Sequence, residues 1–251
     1  MKKVSIITVT YNSAATLEET ILSVISQDYP HIEYIIVDGE SSDGTMQIAE
    51  KYKSSISRII REKDKGLYDA VNKGIGAASG EIIGILHSDD FYTSTSVISS
   101  YVKIFEEQDC DAVYANLYYV DRNNTSKIVR TWKSGKYQEG SFLNGWMPPH
   151  PTFFVKRQVY EKYGKFSLEL KSAADYEFML RVIHKNQISL QYLPQFTVKM
   201  RAGGKSNESV KNRVNANMED RKTWEMNGLK PRFYTLYLKP IRKLIQFLRY
   251  Q

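Results

Sequence analysis

The chain predicts an α/β fold built on a mostly parallel central sheet flanked by helices. Two observations carry that reading. Short apolar runs near residues 4–9, 32–37 and 81–86 alternate with segments of helical periodicity, the rhythm of βαβ units. Each run is apolar almost throughout, as expected of parallel strands buried on both faces. Polar groups then follow the runs: Thr10-Tyr11-Asn12 the first, Asp38 the second, Asp89-Asp90 the last. In open α/β sheets, ligands bind beyond the carboxyl ends of the strands, so these groups can converge on one edge.

The elements follow in order. Residues 4–9 read as a strand. Residues 16–27 read as a helix, with Leu17, Ile21, Val24 and Ile25 close to one face and Thr16 and Glu19 at capping-box spacing. A strand at 32–37 ends in the Gly-bearing loop Asp38-Gly39-Glu40-Ser41-Ser42-Asp43-Gly44, and a helix follows at 45–52. A short strand at 57–61 precedes a helix at 68–78 and the strand that ends in the Asp pair. The second half changes rhythm. Tyr- and Val-rich runs at 111–120 and 127–132 suit added, partly antiparallel strands. Three prolines forbid a helix interior across 145–151. An amphipathic helix at 173–184 precedes a strand at 188–200, interrupted by Pro194. Residues 201–207 form a Gly-rich loop by composition, and a polar helix is predicted at 209–227.

A chain of 251 residues is one large domain, or one with extensions. A single Cys110 excludes an intramolecular disulfide and reads as a packing residue, and the isolated Cys and His give no zinc-site spacing. A reducing, cytoplasmic setting is expected. No run approaches the roughly 18 apolar residues of a spanning helix, and the N-terminus lacks the pattern of a signal peptide. The net charge is +7, and no acidic residue follows Glu225. The tail at 231–251 mixes basic residues with large apolar ones, and Ile241, Leu244, Ile245 and Leu248 have helical spacing. Such a helix suits the inner face of the cytoplasmic membrane, and equally suits packing on the protein. Nucleic acid is excluded, because aliphatics dilute the basic residues and no reading motif is present.

Two adjacent carboxylates at a ligand-binding edge are costly unless a cation sits between them. A divalent ion that also meets a phosphate-bearing ligand is the natural candidate. Asp89 and Asp90 are candidates to hold a ribose hydroxyl and a metal between them. Asp38 suits a base or sugar, Thr10 and Tyr11 a nucleotide ring, and Lys65 and Lys73 phosphate. Asp69 and Asn72 share one face of the 68–78 helix. Asp175, among small neighbours, can take a proton from an attacking hydroxyl. His150 can contact an acceptor, while Arg201 or Lys205 in the Gly-rich loop can close on a diphosphate. Taken singly, each acid also fits a helix cap or a first-turn residue.

Together, Val4-Ser5-Ile6-Ile7-Thr8-Val9-Thr10-Tyr11-Asn12, Val37-Asp38-Gly39-Glu40-Ser41-Ser42-Asp43-Gly44, Lys65-Gly66-Leu67-Tyr68-Asp69-Ala70-Val71-Asn72-Lys73-Gly74, Ser88-Asp89-Asp90, His150-Pro151-Thr152 and Ala173-Ala174-Asp175-Tyr176-Glu177-Phe178 resemble family 2 glycosyltransferases. The likeness spans about residues 2–206 and is to the bacterial branch that builds capsule, exopolysaccharide and O-antigen repeats. It implies a GT-A fold, a nucleotide-diphospho-sugar donor with UDP-sugar expected, a glycan or lipid-linked acceptor, Mn²⁺ or Mg²⁺, and inversion at the anomeric carbon. It implies donor-binding roles for Thr10, Tyr11, Asp38, Lys65, Asp69 and Asp89, metal binding by Asp90, and a general base in Asp175. Gly39, Ala174 and His87-Ser88 depart from the usual Asp, Glu and Asn-Ser. A catalytic domain at 1–207 is expected, with a nucleotide half at 1–110 and an acceptor half at 111–207, then a helical extension at 208–251. The rivals are a nucleotidyltransferase, against which residues 8–15 offer no glycine-rich phosphate loop, and a non-catalytic nucleotide-sugar-binding protein.

Overall fold

The computed structural model describes residues 1–203 and 210–248. The chain opens with β1 (Val4–Thr10), α1 (Leu17–Ile25), β2 (Ile32–Asp38), α2 (Thr45–Lys51), β3 (Arg58–Arg61), α3 (Leu67–Ala77) and β4 (Ile82–Ile85). These are the predicted βαβ units, and β3, β2, β1 and β4 lie side by side in parallel. Every residue of β1 is buried. Successive side chains of a strand point to opposite faces, so Ile7 and Val9 enter one core while Val4 and Ile6 enter the other. α1 buries Leu17, Thr20, Ile21 and Val24. The expected capping box does not form. Thr16 makes no cap bond, and Glu19 turns instead to Arg201.

Then follow β5 (Asp90–Tyr92), α4 (Val97–Glu107), β6 (Ala112–Val120), β7 (Ile128–Trp132), β8 (Phe154–Lys156), α5 (Arg157–Tyr163), α6 (Ala174–Met179) and β9 (Leu190–Arg201). A π-helical segment, Leu180–Lys185, continues α6. Strand order among the described residues is β3-β2-β1-β4-β8-β6-β9-β5, with β7 paired to β6. β8 is antiparallel to β4 and β6, β5 to β9, and β7 to β6. One sheet therefore runs through both halves of the chain. β9 is unbroken, contrary to the expected interruption. Its register against β6 shifts between Tyr114 and Leu117, and Pro194 lies in the β9 stretch where that pairing lapses, the setting in which a sheet accepts proline.

The C-terminal extension contains α7 (Val210–Met226) and α8 (Thr235–Leu248). Both pack on the fold. The Trp224 indole of α7 donates to the Tyr176 hydroxyl at 3.0 Å, and the amide of Asn227, just past the helix, to Glu177 at 3.1 Å. From α8, Thr235 donates to the Leu143 carbonyl at 2.6 Å and Arg242 to that of Asn144 at 2.8 Å. Gly145 has φ 72°, and a Cβ there would meet the Lys239 backbone nitrogen at 2.6 Å. Only glycine lets the helix come this close. Phe233, Tyr237 and Ile241 face outward, 88%, 65% and 48% exposed. Among the described residues, no helix is long and apolar enough to cross a membrane.

Candidate active site

The carboxyl ends of β1 and β2 meet at Thr10 and Asp38, which are register partners. Thr10 is buried, and its hydroxyl has no partner. Tyr11 is 56% exposed at the rim. Asp38 does not present its carboxylate as expected. It is fully buried, accepts from the Ser41 amide at 3.0 Å and from the Ser41 hydroxyl, and lies 3.5 Å from Arg61 Nε. The side chain holds the loop that frames the site. A Cβ on Gly39 would collide with the Asp64 carboxylate and touch the Tyr11 ring at 3.4 Å. Asp64 thus fills the space beside Gly39, a neighbour that no sequence pattern singles out. Asn12 and Glu40, on either side of this junction, have φ 49° and 63°. Left-handed backbone of this kind in non-glycine residues concentrates at functional sites.

At the start of α3, Asp69 is also spent locally. It accepts from the Lys65 amide at 2.9 Å, with the Lys73 ammonium 3.5 Å away. This carboxylate oxygen thus holds the residues that lead into α3. Lys73 is tied down as well, donating to the Lys63 carbonyl at 2.7 Å. The Lys65 side chain is exposed at the same edge. Asn72 stitches α3 to the segment before α6, donating to the Phe166 carbonyl and accepting from its amide.

The acid pair lies past β4, in the turn that leads into β5. The Ser88 hydroxyl donates to that of Ser13 at 2.9 Å, and the Asp90 amide to the His87 carbonyl at 3.0 Å. Arg201 was expected in a mobile lid. It is a buried residue at the end of β9 that donates to the Asp89 carbonyl at 2.6 Å and pairs with Glu19. It clamps the acid turn to α1. Lys205 lies outside the described residues. Asp89 is half-buried, whereas Asp90 is fully buried with no donor on either oxygen. Burial, then the adjacent Asp89, push the Asp90 carboxyl well above the usual range, with Arg201 opposing. Two neighbouring acids, one with both oxygens unsatisfied, suit a divalent cation. Among the described residues no three acidic, His or Cys groups gather around one point. An ion here would complete its coordination with phosphate or water.

Asp175 sits in the first turn of α6. The Tyr68 hydroxyl donates to its Oδ1 at 3.3 Å, and the Tyr176 amide at 2.8 Å. α6 has no capping side chain of its own. Glu219 of α7 accepts from the Ser172 and Ala173 amides at 2.8 and 3.0 Å. It thereby caps the helix from outside and fixes Asp175. Tyr68 and Glu219 are positioning residues that the sequence left unmarked. Tyr68 lay unweighed inside a motif, and Glu219 is separated from its partners by 46 to 48 residues. Burial and then Asp175 raise the Tyr68 phenol well above its ordinary value, so it remains a hydrogen-bond donor.

The two acidic centres converge. The Tyr68 ring, hydrogen-bonded to Asp175, stacks on Phe166 at 5.8 Å, and Phe166 reaches His87, two residues before Asp89, through His150. The His87 and His150 rings lie 5.5 Å apart, and His150 packs edge-on against Phe166. Burial holds His150 down to about 4, while burial and then His150 lower His87. Both imidazoles are neutral at neutral pH. Their unfolded values lie near 6.5, so the unfolded chain gains protons first on acidification. The stability they contribute is complete above about pH 6.5 and is lost as pH falls toward about 4. Melting temperature should therefore drop between pH 7 and pH 4.5, and less steeply in a His87→Gln/His150→Gln double variant. Equal slopes would contradict this assignment.

Comparison with known proteins identifies the family and the fold. The family model "Glycosyl transferase family 2" matches residues 5–164. The uncharacterized glycosyltransferase Rv1514c of Mycobacterium tuberculosis is 30% identical over 180 residues, covering 71% of this chain and 68% of that protein. The glucosyltransferase WfaP of Escherichia coli, named for transfer from UDP-Glc to α-D-GlcNAc-diphosphoundecaprenol, is 38% identical over 126 residues, 49% of each chain. Staphylococcus aureus TarS, solved with UDP-GlcNAc, superposes with a TM-score of 0.70 at 19% identity, over 98% of this chain and 71% of that one. The mannosyltransferase PcManGT of Pyrobaculum calidifontis, solved with GDP-Man and Mn²⁺, gives 0.67 at 19%, over 98% and 70%. The architecture is that of a GT-A glycosyltransferase, and the chain belongs to glycosyl transferase family 2.

Proposed function

We propose that this glycosyltransferase inverts the anomeric carbon as it moves a sugar from a UDP-sugar to a hydroxyl of a lipid-linked glycan, in bacterial surface polysaccharide synthesis. The observation that carries the reading is the run of contacts that joins the two acidic centres, from Asp175 through Tyr68, Phe166 and His150 to His87, two residues before Asp89. The name of WfaP supports the donor and the acceptor class. Tyr11 and Asp64 flank the base, and Asp89 faces the ribose. Asp90, through its unpartnered oxygens, would hold Mn²⁺ or Mg²⁺ with the donor's phosphates. The ion supplies charge neutralisation at the departing diphosphate.

Asp175 then accepts the proton of the acceptor hydroxyl. The oxygen forms a bond to the anomeric carbon as the bond to the diphosphate oxygen breaks, and the nucleoside diphosphate leaves with the electron pair. A single displacement needs one base and no covalent sugar–enzyme intermediate. Tyr68 and the Tyr176 amide hold Asp175 oriented, and the apolar floor of Phe166 and the neutral histidines limits water. Incubation with a panel of nucleotide sugars and Mn²⁺ tests the reading. Slow, metal-dependent release of UDP from one UDP-sugar is expected. Failure to bind or consume any member of the panel would contradict it.

A further inference from the structure

We propose that the cleft between α8 and β7 binds the diphosphate of a lipid-diphosphate-linked acceptor. This deepens the transferase reading above and rests on it. The cleft has a volume of about 370 Å³. Its walls include Trp132, Trp146 and Leu238, and four basic side chains line it: Lys133, Lys239, Arg242 and Lys243. One carboxylate answers them among the described residues. Asp220 pairs with Lys239 at 2.6 Å, and the Lys239 ammonium also lies 3.6 Å from the Tyr176 ring centroid. Lys133 and Lys243 have no carboxylate within ion-pair distance among the described residues, and Arg242 spends its Nε on a backbone carbonyl.

Such an excess of positive charge beside low-dielectric walls is unfavourable until an anion enters. Lys243 registers this. Although much of its stem is open to solvent, desolvation of its ammonium, then Lys239, lower its proton affinity, Arg130 adding to the effect while Asp220 and Asp175 oppose it. The Lys239 contact with Tyr176, the residue after Asp175, places the cleft beside the base, so an acceptor anchored there can bring its sugar to Asp175. Charge and shape favour a diphosphate, with two phosphoryl groups to engage separate cations. Tyr237 and Ile241 of α8, with Phe233 just before the helix, form an outward apolar stripe, and Ile241 also lines the cleft. A lipid chain leaving the cleft along that stripe meets an apolar surface, which selects a lipid diphosphate over a free one.

Farnesyl diphosphate serves as the probe on the full chain. Two of the protein's three tryptophans, Trp132 and Trp146, line the cleft, so intrinsic fluorescence reads binding there. We expect saturable quenching by farnesyl diphosphate, and weaker responses to farnesol and inorganic pyrophosphate. Lys133→Ala and Lys243→Ala sit on opposite walls. Each should weaken the response about tenfold, the loss of one charge-assisted hydrogen bond, while UDP–Mn²⁺ binding stays unchanged. Retained farnesyl diphosphate binding in both variants, or equal binding of pyrophosphate, would overturn the proposal. Intact UDP–Mn²⁺ binding with no response to farnesyl diphosphate would sink the cleft alone. Absence of both would instead remove the transferase reading beneath it.

Discussion

Replacing Asp175 by Asn should lower transfer turnover by about 10²–10⁴-fold, the usual contribution of a general base. The amide oxygen can still accept from Tyr68 and from the Tyr176 amide, the two donors that now meet Oδ1. Glu219 continues to cap α6 through the Ser172 and Ala173 amides. Geometry is therefore kept while the proton acceptor is lost, and steady-state kinetics should show the fall in kcat with little change in donor KM. Such a pattern marks an interaction made only in the transition state. Near-normal turnover would mean that another group takes the proton.

Replacing Asp90 by Asn acts at a different stage. Metal-dependent donor binding should weaken by at least about 100-fold, because even groups that merely support metal ligands typically cost 10–100-fold. Asp90 is fully buried, and neither oxygen has a donor. A buried, unpaired charge is unfavourable, so without ligand the variant should melt no lower than the parent. A site tuned for its ligand at the expense of the empty fold behaves this way. Asp89→Asn should cost less, since that side chain is more open and its carbonyl is held by Arg201. If Asp89→Asn abolished the ion and Asp90→Asn did not, the roles of the pair would be exchanged.

The parallel half of the fold was legible because buried parallel strands read as unbroken apolar runs, as in β1 and β2. β5 and β8 were not, since three-residue strands carry no periodicity. α4 buries Val97, Ile98, Tyr101, Val102 and Phe105 at helical spacing, but serines at 96, 99 and 100 disguise it with residues that favour caps and turns. Within the site, the sequence placed Asp175, Asp89 and Asp90 in one region because strand ends and motifs marked them. It could not show how a carboxylate is used. Asp38 and Asp69 accept from backbone amides of their own loops, and Arg201 donates to a carbonyl more than a hundred residues away. Glu219 acts from a helix outside every motif, so only the folded arrangement reveals it.

The division of labour between the acid turn and α6 is the central claim, and side-by-side calorimetric titration of Asp90→Asn and Asp175→Asn with UDP and Mn²⁺ addresses it most directly. Asp175→Asn should bind as the parent does, and Asp90→Asn should give no metal-dependent heat. Equal loss in both variants, or loss confined to Asp175→Asn, would contradict the account.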